Sequence, residues 1–164
     1  MTEPISESEL ETIVIVDDQE GVLEFCRTTL ERAGYRVFTA ANGEQALRLL
    51  EPNRSPVDLA LIDIVMPGMS GIELAKRIES LNLGVRIILM SGYSPVEVKR
   101  VVEEYAAEYR SMWKPFEART LVQMIKNALD GDSLKRLVVD SPTGWKLTDR
   151  LEGAPSQGSA PDEI

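Results

Sequence analysis

Short apolar runs rich in β-branched residues alternate along the chain with longer stretches of helical spacing. The runs are TIVIVD at 12–17, YRVFTA at 35–40, VDLALID at 57–63, VRIILMS at 85–91 and YRSMW at 109–113. The first, third and fourth are almost continuously apolar, as strands covered on both faces must be. Between the runs the apolar positions fall three and four apart. Val22, Cys26, Leu30 and Ala33 form one stripe, with Gly34 placed to stop the helix. Ala46, Leu47 and Leu50 form the next, followed by Ile72, Ala75 and Ile78, then by Val98, Val101, Val102 and Tyr105. The last stripe is Leu121, Val122, Ile125, Ala128 and Leu129.

Two helix starts carry the pattern of a capping box, Ser70-Gly71-Ile72-Glu73 and Ser94-Pro95-Val96-Glu97. A strand followed by a helix, five times over, predicts an α/β fold: a doubly wound five-stranded parallel sheet with right-handed crossovers and helices on both faces. The pattern fills residues 11–131. Residues 1–10 read as an N-terminal extension. Residues 132–164 read as a C-terminal extension, with scattered apolar positions at Leu134, Leu137, Val138 and Trp145 and a tail-like composition at the end.

Composition narrows the possible chemistry. The chain of 164 residues is 43% hydrophobic and 27% charged, enough to fill one core. No run approaches the roughly 18 consecutive apolar residues of a membrane span. A net charge of −9 argues against a nucleic-acid surface. The single cysteine, Cys26, permits no internal disulfide and fits a reducing cytoplasm. Histidine is absent, so the commonest general base and metal ligand is missing.

Ligands of open α/β sheets bind beyond the carboxyl ends of the strands. The first run ends in Asp17-Asp18, the third in Asp63, the fourth in Ser91 and the fifth in Trp113-Lys114-Pro115. Each has an ordinary structural explanation: Asp18 as a helix cap, Asp63 as a turn former, Ser91 and Lys114 as solvated polar residues. Their coincidence at four parallel strand ends points instead to one site. Three carboxylates gathered there raise one another's pKa unless a cation intervenes. Hard oxygen donors with neither His nor Cys suit Mg²⁺, which keeps waters free for a phosphate. Asp63 then becomes a nucleophile toward a phosphoryl group, with Lys114 and the Ser91 hydroxyl available to its oxygens.

The segments IVIVDD at 13–18, LALIDIVMPGMSGIEL at 59–74, ILMSGY at 88–93 and WKPF at 113–116 resemble the receiver domains of bacterial two-component response regulators. The similarity covers about residues 11–130 and is closest to the single-domain, chemotaxis-regulator-like kind. It implies a flavodoxin-like strand order 2-1-3-4-5 and phosphorylation of Asp63. It further implies Mg²⁺ bound by Asp18, Asp63 and the Val65 carbonyl, with Asp17 acting through water. Ser91 would be the hydroxyl switch residue, and Lys114 would pair with the acceptor and then with the phosphoryl group. Pro67, Gly71 and a cis bond before Pro115 would shape the surrounding loops, and Val65 and Tyr93 would set the hydrolysis rate. The implied partners are a sensor histidine kinase or phosphotransfer protein and a downstream protein, with neither nucleic acid nor membrane.

The chain departs from the family at Ser111, where an aromatic switch residue is usual. Trp113 has the same strand parity and either takes over that role or is a plain structural tryptophan. A phosphatase of the haloacid-dehalogenase kind would need an acid at Val65. A flavodoxin-like electron carrier would need a glycine- and hydroxyl-rich loop where Asp17-Asp18-Gln19-Glu20 stands. A receiver that works only inside a larger hybrid-kinase or effector complex is the alternative to a stand-alone switch.

Overall fold

The computed structural model describes residues 6, 9–52, 54–92 and 109–131. Five strands alternate with helices: β1 (Thr12–Val16), α1 (Glu20–Arg32), β2 (Arg36–Ala40), α2 (Gly43–Leu49), β3 (Leu59–Asp63), α3 (Gly71–Ser80), β4 (Arg86–Ser91), β5 (Arg110–Trp113) and α4 (Ala118–Leu129). The strands form one parallel sheet in the order β2-β1-β3-β4-β5. Each expected run contains its strand, shortened by one or two residues at an end. The stripe from Val98 to Tyr105, the second capping box, Tyr93 and residues 132–164 lie outside the described residues.

Strand alternation divides the core into two layers. Val14, Val16, Ala60, Ile62 and Leu89 face α2 and α3, meeting Ala46, Ile72, Leu74, Ala75 and Ile78. Ile13, Ile15, Leu59, Leu61, Ile88, Met90 and Met112 face α1 and α4, meeting Cys26, Leu30, Leu121, Met124 and Ile125. Full burial of each such aliphatic contributes about 1.5–3 kcal/mol of transfer free energy. That explains why β1 and β3 are buried at every position and apolar at all but Thr12 and Asp63: neither face of the central strands reaches water.

Two local expectations are corrected. Ala33 does not extend the buried stripe of α1; it is the C-cap and is exposed, and Gly34, at φ 96°, turns the chain toward β2 before another turn forms. At the start of α3 the Ser70 hydroxyl accepts from the Glu73 amide at 3.1 Å, as a cap should. Glu73 does not return the bond. Its carboxylate accepts from Arg77 one turn later, at 2.8 Å, where an exposed i,i+4 pair competes with the box.

Candidate functional site

The strand order reverses between β1 and β3, whose carboxyl ends stand side by side through the pair Val16–Ile62, while Asp63 pairs with Met90 of β4 on its other side. Asp17, Asp18 and Asp63 therefore meet at the switch point, each with one carboxylate oxygen within 4.8 Å of the others. Asp17 is fully buried, Asp63 is 5% exposed, and Asp18 faces solvent. The register Ser91–Trp113 brings Lys114 to the same edge, where its backbone N–H donates to the Ser91 carbonyl at 2.6 Å.

The site already contains one cation. The Lys114 ammonium donates to Asp17 Oδ2 at 2.5 Å and lies 3.5 Å from Asp63 Oδ1. The pairing with the acceptor that the resemblance implies is present at 3.5 Å, and a shorter contact to Asp17 stands beside it. Asp17 is the more deeply buried acid, so the short contact goes where an unpaired charge would cost most. The other Asp17 oxygen accepts from the Gln19 amide at 2.9 Å.

Asp63 carries the residual electrostatic cost. Its carboxyl is pushed up from 3.8 to about 6, first by burial, with Asp17 and Asp18 adding to the rise and Lys114 opposing it. The sequence suggested mutual repulsion as the cause, whereas desolvation dominates and repulsion is secondary. A divalent cation suits this donor set. The three acids offer hard oxygens, and one of them remains costly to ionise even with Lys114 present.

The loop after Asp63 is held by backbone geometry. The Ile64 N–H donates to the Met90 carbonyl and the Gly71 N–H to the Ile64 carbonyl, both at 2.9 Å. A Cβ on Gly71 would overlap the Asp63 carbonyl oxygen and lie 2.8 Å from Ile64 Cα, so only glycine allows α3 to begin this close to the acceptor strand. Pro67 is exposed at the outer bend, and Val65 stands 57% exposed beside the site. The Lys114–Pro115 bond is cis.

The remaining predicted residues stand on β4 and β5. Ser91 is buried on the neighbouring strand end, where its hydroxyl donates to the Gly92 carbonyl at 3.4 Å. Ser111 is half-buried and its hydroxyl donates to the Tyr109 carbonyl at 3.4 Å. Trp113 packs on the α2–α3 side of the sheet, a structural contact whatever it does in signalling. Sequence reasoning missed Phe25, which is 42% exposed on α1 with its ring 6.1 Å from that of Phe116, just beyond Lys114. The available signal was a large aromatic standing off the apolar stripe of its helix.

Comparison with known proteins agrees with this geometry. Residues 13–126 match the family model described as the response regulator receiver domain. The chain belongs to that family. As a receiver domain it serves phosphorylation-controlled signalling, as a phosphoacceptor and not as a classical enzyme, in partnership with a histidine kinase or phosphotransfer protein. Among its relatives is sporulation initiation phosphotransferase F of Bacillus subtilis, 35% identical over 119 residues, covering 73% of this chain and 94% of that one. The receiver protein CpdR of Brucella abortus is 32% identical over 73% of this chain and 98% of its own length. Against the alkaline phosphatase synthesis transcriptional regulator PhoP of Bacillus subtilis, 30% identical, the match covers 86% of this chain and 55% of that protein. A CheY-like receiver domain structure from Methanospirillum hungatei superposes with a TM-score of 0.64 at 34% identity, over 74% of this chain and 95% of that one. Among the described residues of this receiver domain, no helix is long and apolar enough to cross a membrane.

Proposed function

We propose that Asp63 is the residue phosphorylated in this receiver domain, and that the phosphoryl group comes from a phosphohistidine on a partner protein. The carrying observation is the setting of its carboxylate: buried, clustered with Asp17 and Asp18, and 3.5 Å from the Lys114 ammonium. In the transfer, an Asp63 oxygen forms a bond to phosphorus as the donor's P–N bond breaks, and the freed imidazole takes up a proton. Only the ionised carboxylate is a nucleophile, so Lys114 supports the reaction by favouring that form. Once the acyl phosphate has formed, Lys114 and the Ser91 hydroxyl are the groups of this chain that pair with its oxygens.

Asp18, Asp63 and the Val65 carbonyl would hold Mg²⁺ directly and Asp17 through water. Bound there, Mg²⁺ supplies the positive charge that offsets the oxygens of the transferring group. The chain has no histidine, so it cannot carry the donor group itself. Residues 11–131 constitute the receiver, working in the cytoplasm and passing the signal on by protein contact. Val65 brings no hydrogen-bonding atom to the water path at the acyl phosphate, and Tyr93 is large enough to shield it, so self-dephosphorylation is slow. Val65→Glu should shorten the phosphorylated lifetime severalfold, measured by decay of the labelled protein; an unchanged lifetime contradicts that role.

The assignment of Asp63 is tested by intact-mass measurement after treatment with a small phosphodonor and Mg²⁺. The native chain should gain one phosphoryl group and Asp63→Asn none. Stoichiometric labelling of the Asn variant contradicts the assignment.

A further inference from the structure

Gly43 opens α2 and is buried, yet its backbone lies outside the left-handed region that would demand a glycine. Sterics demand one instead. A Cβ on Gly43 would stand 2.5 Å from Met69 Sδ and 3.2 Å from both Cγ and Cβ of Met69. Carbon atoms pack best at about 3.5–4.0 Å, so the notch left by the missing side chain is already filled by Met69 along its length.

Met69 comes from the loop 64–70 that follows Asp63. The ends of that loop are fixed by the Ile64 and Gly71 backbone bonds. Between them Met66 enters the core, Val65 and Pro67 are exposed, and Gly68 turns the chain at φ 78°. Beyond that bend Met69 reaches across to another element, the start of α2. The surface it meets is itself held in place. The Asp17 N–H donates to the Ala40 carbonyl at 3.1 Å. The Ala41 N–H donates to Gln45 Oε1 and the Gln45 N–H to Asn42 Oδ1, both at 2.9 Å. The β2–α2 turn is thus bonded on one side to the segment carrying Asp17 and Asp18. On the other it packs against the loop carrying Val65.

We infer that Gly43 and Met69 are positioning residues for the carboxylate site: Met69, seated in the Gly43 notch, sets where loop 64–70 and its Val65 carbonyl stand relative to Asp17 and Asp18. The inference rests on the reading of Asp18, Asp63 and the Val65 carbonyl as Mg²⁺ ligands. A thioether tip swings aside easily, but Met69 Cβ moves only with its backbone. A methyl group at position 43 therefore displaces the loop as well as the tip. Mg²⁺ demands near-ideal octahedral geometry, which makes its affinity a sensitive gauge of that displacement.

The test is a double-mutant cycle on the full chain. Mg²⁺ is titrated while the Asp18, Asp63 and Val65 amide resonances are followed, and the urea midpoint is measured in parallel. Gly43→Ala should weaken Mg²⁺ binding about tenfold, the lower end of the loss typical when an outer support of a metal site is removed. In the Met69→Ala background the overlaps with Sδ and Cγ are gone, so the same change should cost about twofold or less. Met69→Ala alone empties the notch and should weaken binding severalfold. Equal losses from Gly43→Ala in both backgrounds would overturn the inference. Native Mg²⁺ affinity in folded Gly43→Ala or Met69→Ala would do the same, even with a lowered urea midpoint, because the contact would then serve the fold alone. A native chain whose three amides ignored Mg²⁺ would instead overturn the metal reading itself, and this inference with it.

Discussion

Two aspartates bracket β3, and they are used in opposite ways. Asp58, just before the strand, is half-buried, and its Oδ2 accepts from the Thr12 amide at 2.7 Å. Its own N–H donates to the Thr12 carbonyl at 2.9 Å and its carbonyl accepts from the Arg86 amide at 3.0 Å. The residue is a clip joining the starts of β1, β3 and β4. Asp63, at the other end, is buried beside two more acids, with one ammonium 3.5 Å away that sits closer to Asp17. A carboxylate bonded to a backbone amide stabilises the fold, whereas one left short of partners stays available for chemistry. The amino edge of the sheet is spent on structure; the carboxyl edge keeps its charge for a cation and a phosphoryl group.

The comparison breaks most sharply at Lys114. Lys114→Met leaves Asp17 buried without its ammonium and should cost about 3–5 kcal/mol, the range for removing one partner of a buried ion pair. Urea unfolding in the absence of divalent metal measures this, and Mg²⁺ should restore part of the loss. Retention of native stability without metal would mean that Lys114 does not hold the carboxylate cluster.

Asp63→Asn should act in the other direction. Because the folded-state pKa is raised from 3.8 to about 6, this group's favourable contribution is complete below about pH 4 and is lost as pH rises through 6. The metal-free native protein should therefore lose up to about 3 kcal/mol through this group between pH 4 and pH 8. The Asn variant should lack that component and be the more stable of the two at pH 8. With phosphodonor and Mg²⁺, labelling of the native chain should fall at acid pH, because the protonated acid is no nucleophile, and the fall should come at lower pH than the metal-free titration, since Mg²⁺ favours the ionised form. A pH-stability difference between the two proteins that ran the opposite way would contradict the burial argument.

The smallest effect belongs to the clip. Asp58→Ala removes one charge-assisted bond to a backbone amide and should cost about 1–2 kcal/mol. Labelling of Asp63 and its dependence on Mg²⁺ should remain native. If Asp58→Ala weakened Mg²⁺ binding as strongly as it weakened the fold, the division of labour between the two edges would fail.

Much of this arrangement was legible in the sequence. The runs Ile13–Val16 and Leu59–Ile62 are continuously apolar because β1 and β3 lie at the centre of the sheet, and acids placed directly after such runs must emerge at its carboxyl edge. That logic located Asp17, Asp18, Asp63, Ser91 and Lys114 on adjacent strand ends without any coordinates. The pairing of Lys114 with Asp63 followed from the resemblance, but its shorter contact to Asp17 was not legible. Whether Lys114 reaches Asp17 or Asp63 first depends on distances between the ends of β1, β3 and β5, and a sequence does not state those. Helix detail was blurred for a similar reason. Leu74 and Met124 are buried although neither was placed in its stripe, because a helix packed against a sheet buries a wider arc than a minimal stripe. Ala33 fits the period yet falls past the last turn of α1.

The account stands or falls on where the phosphoryl group is attached. Chemical reduction of the phosphorylated chain with borohydride, followed by peptide sequencing in a mass spectrometer, marks the acylated carboxylate itself. The mark should fall on Asp63 alone, with Asp17, Asp18 and Asp58 unmodified. A mark on Asp17 or Asp18, or one spread over the cluster, would contradict it.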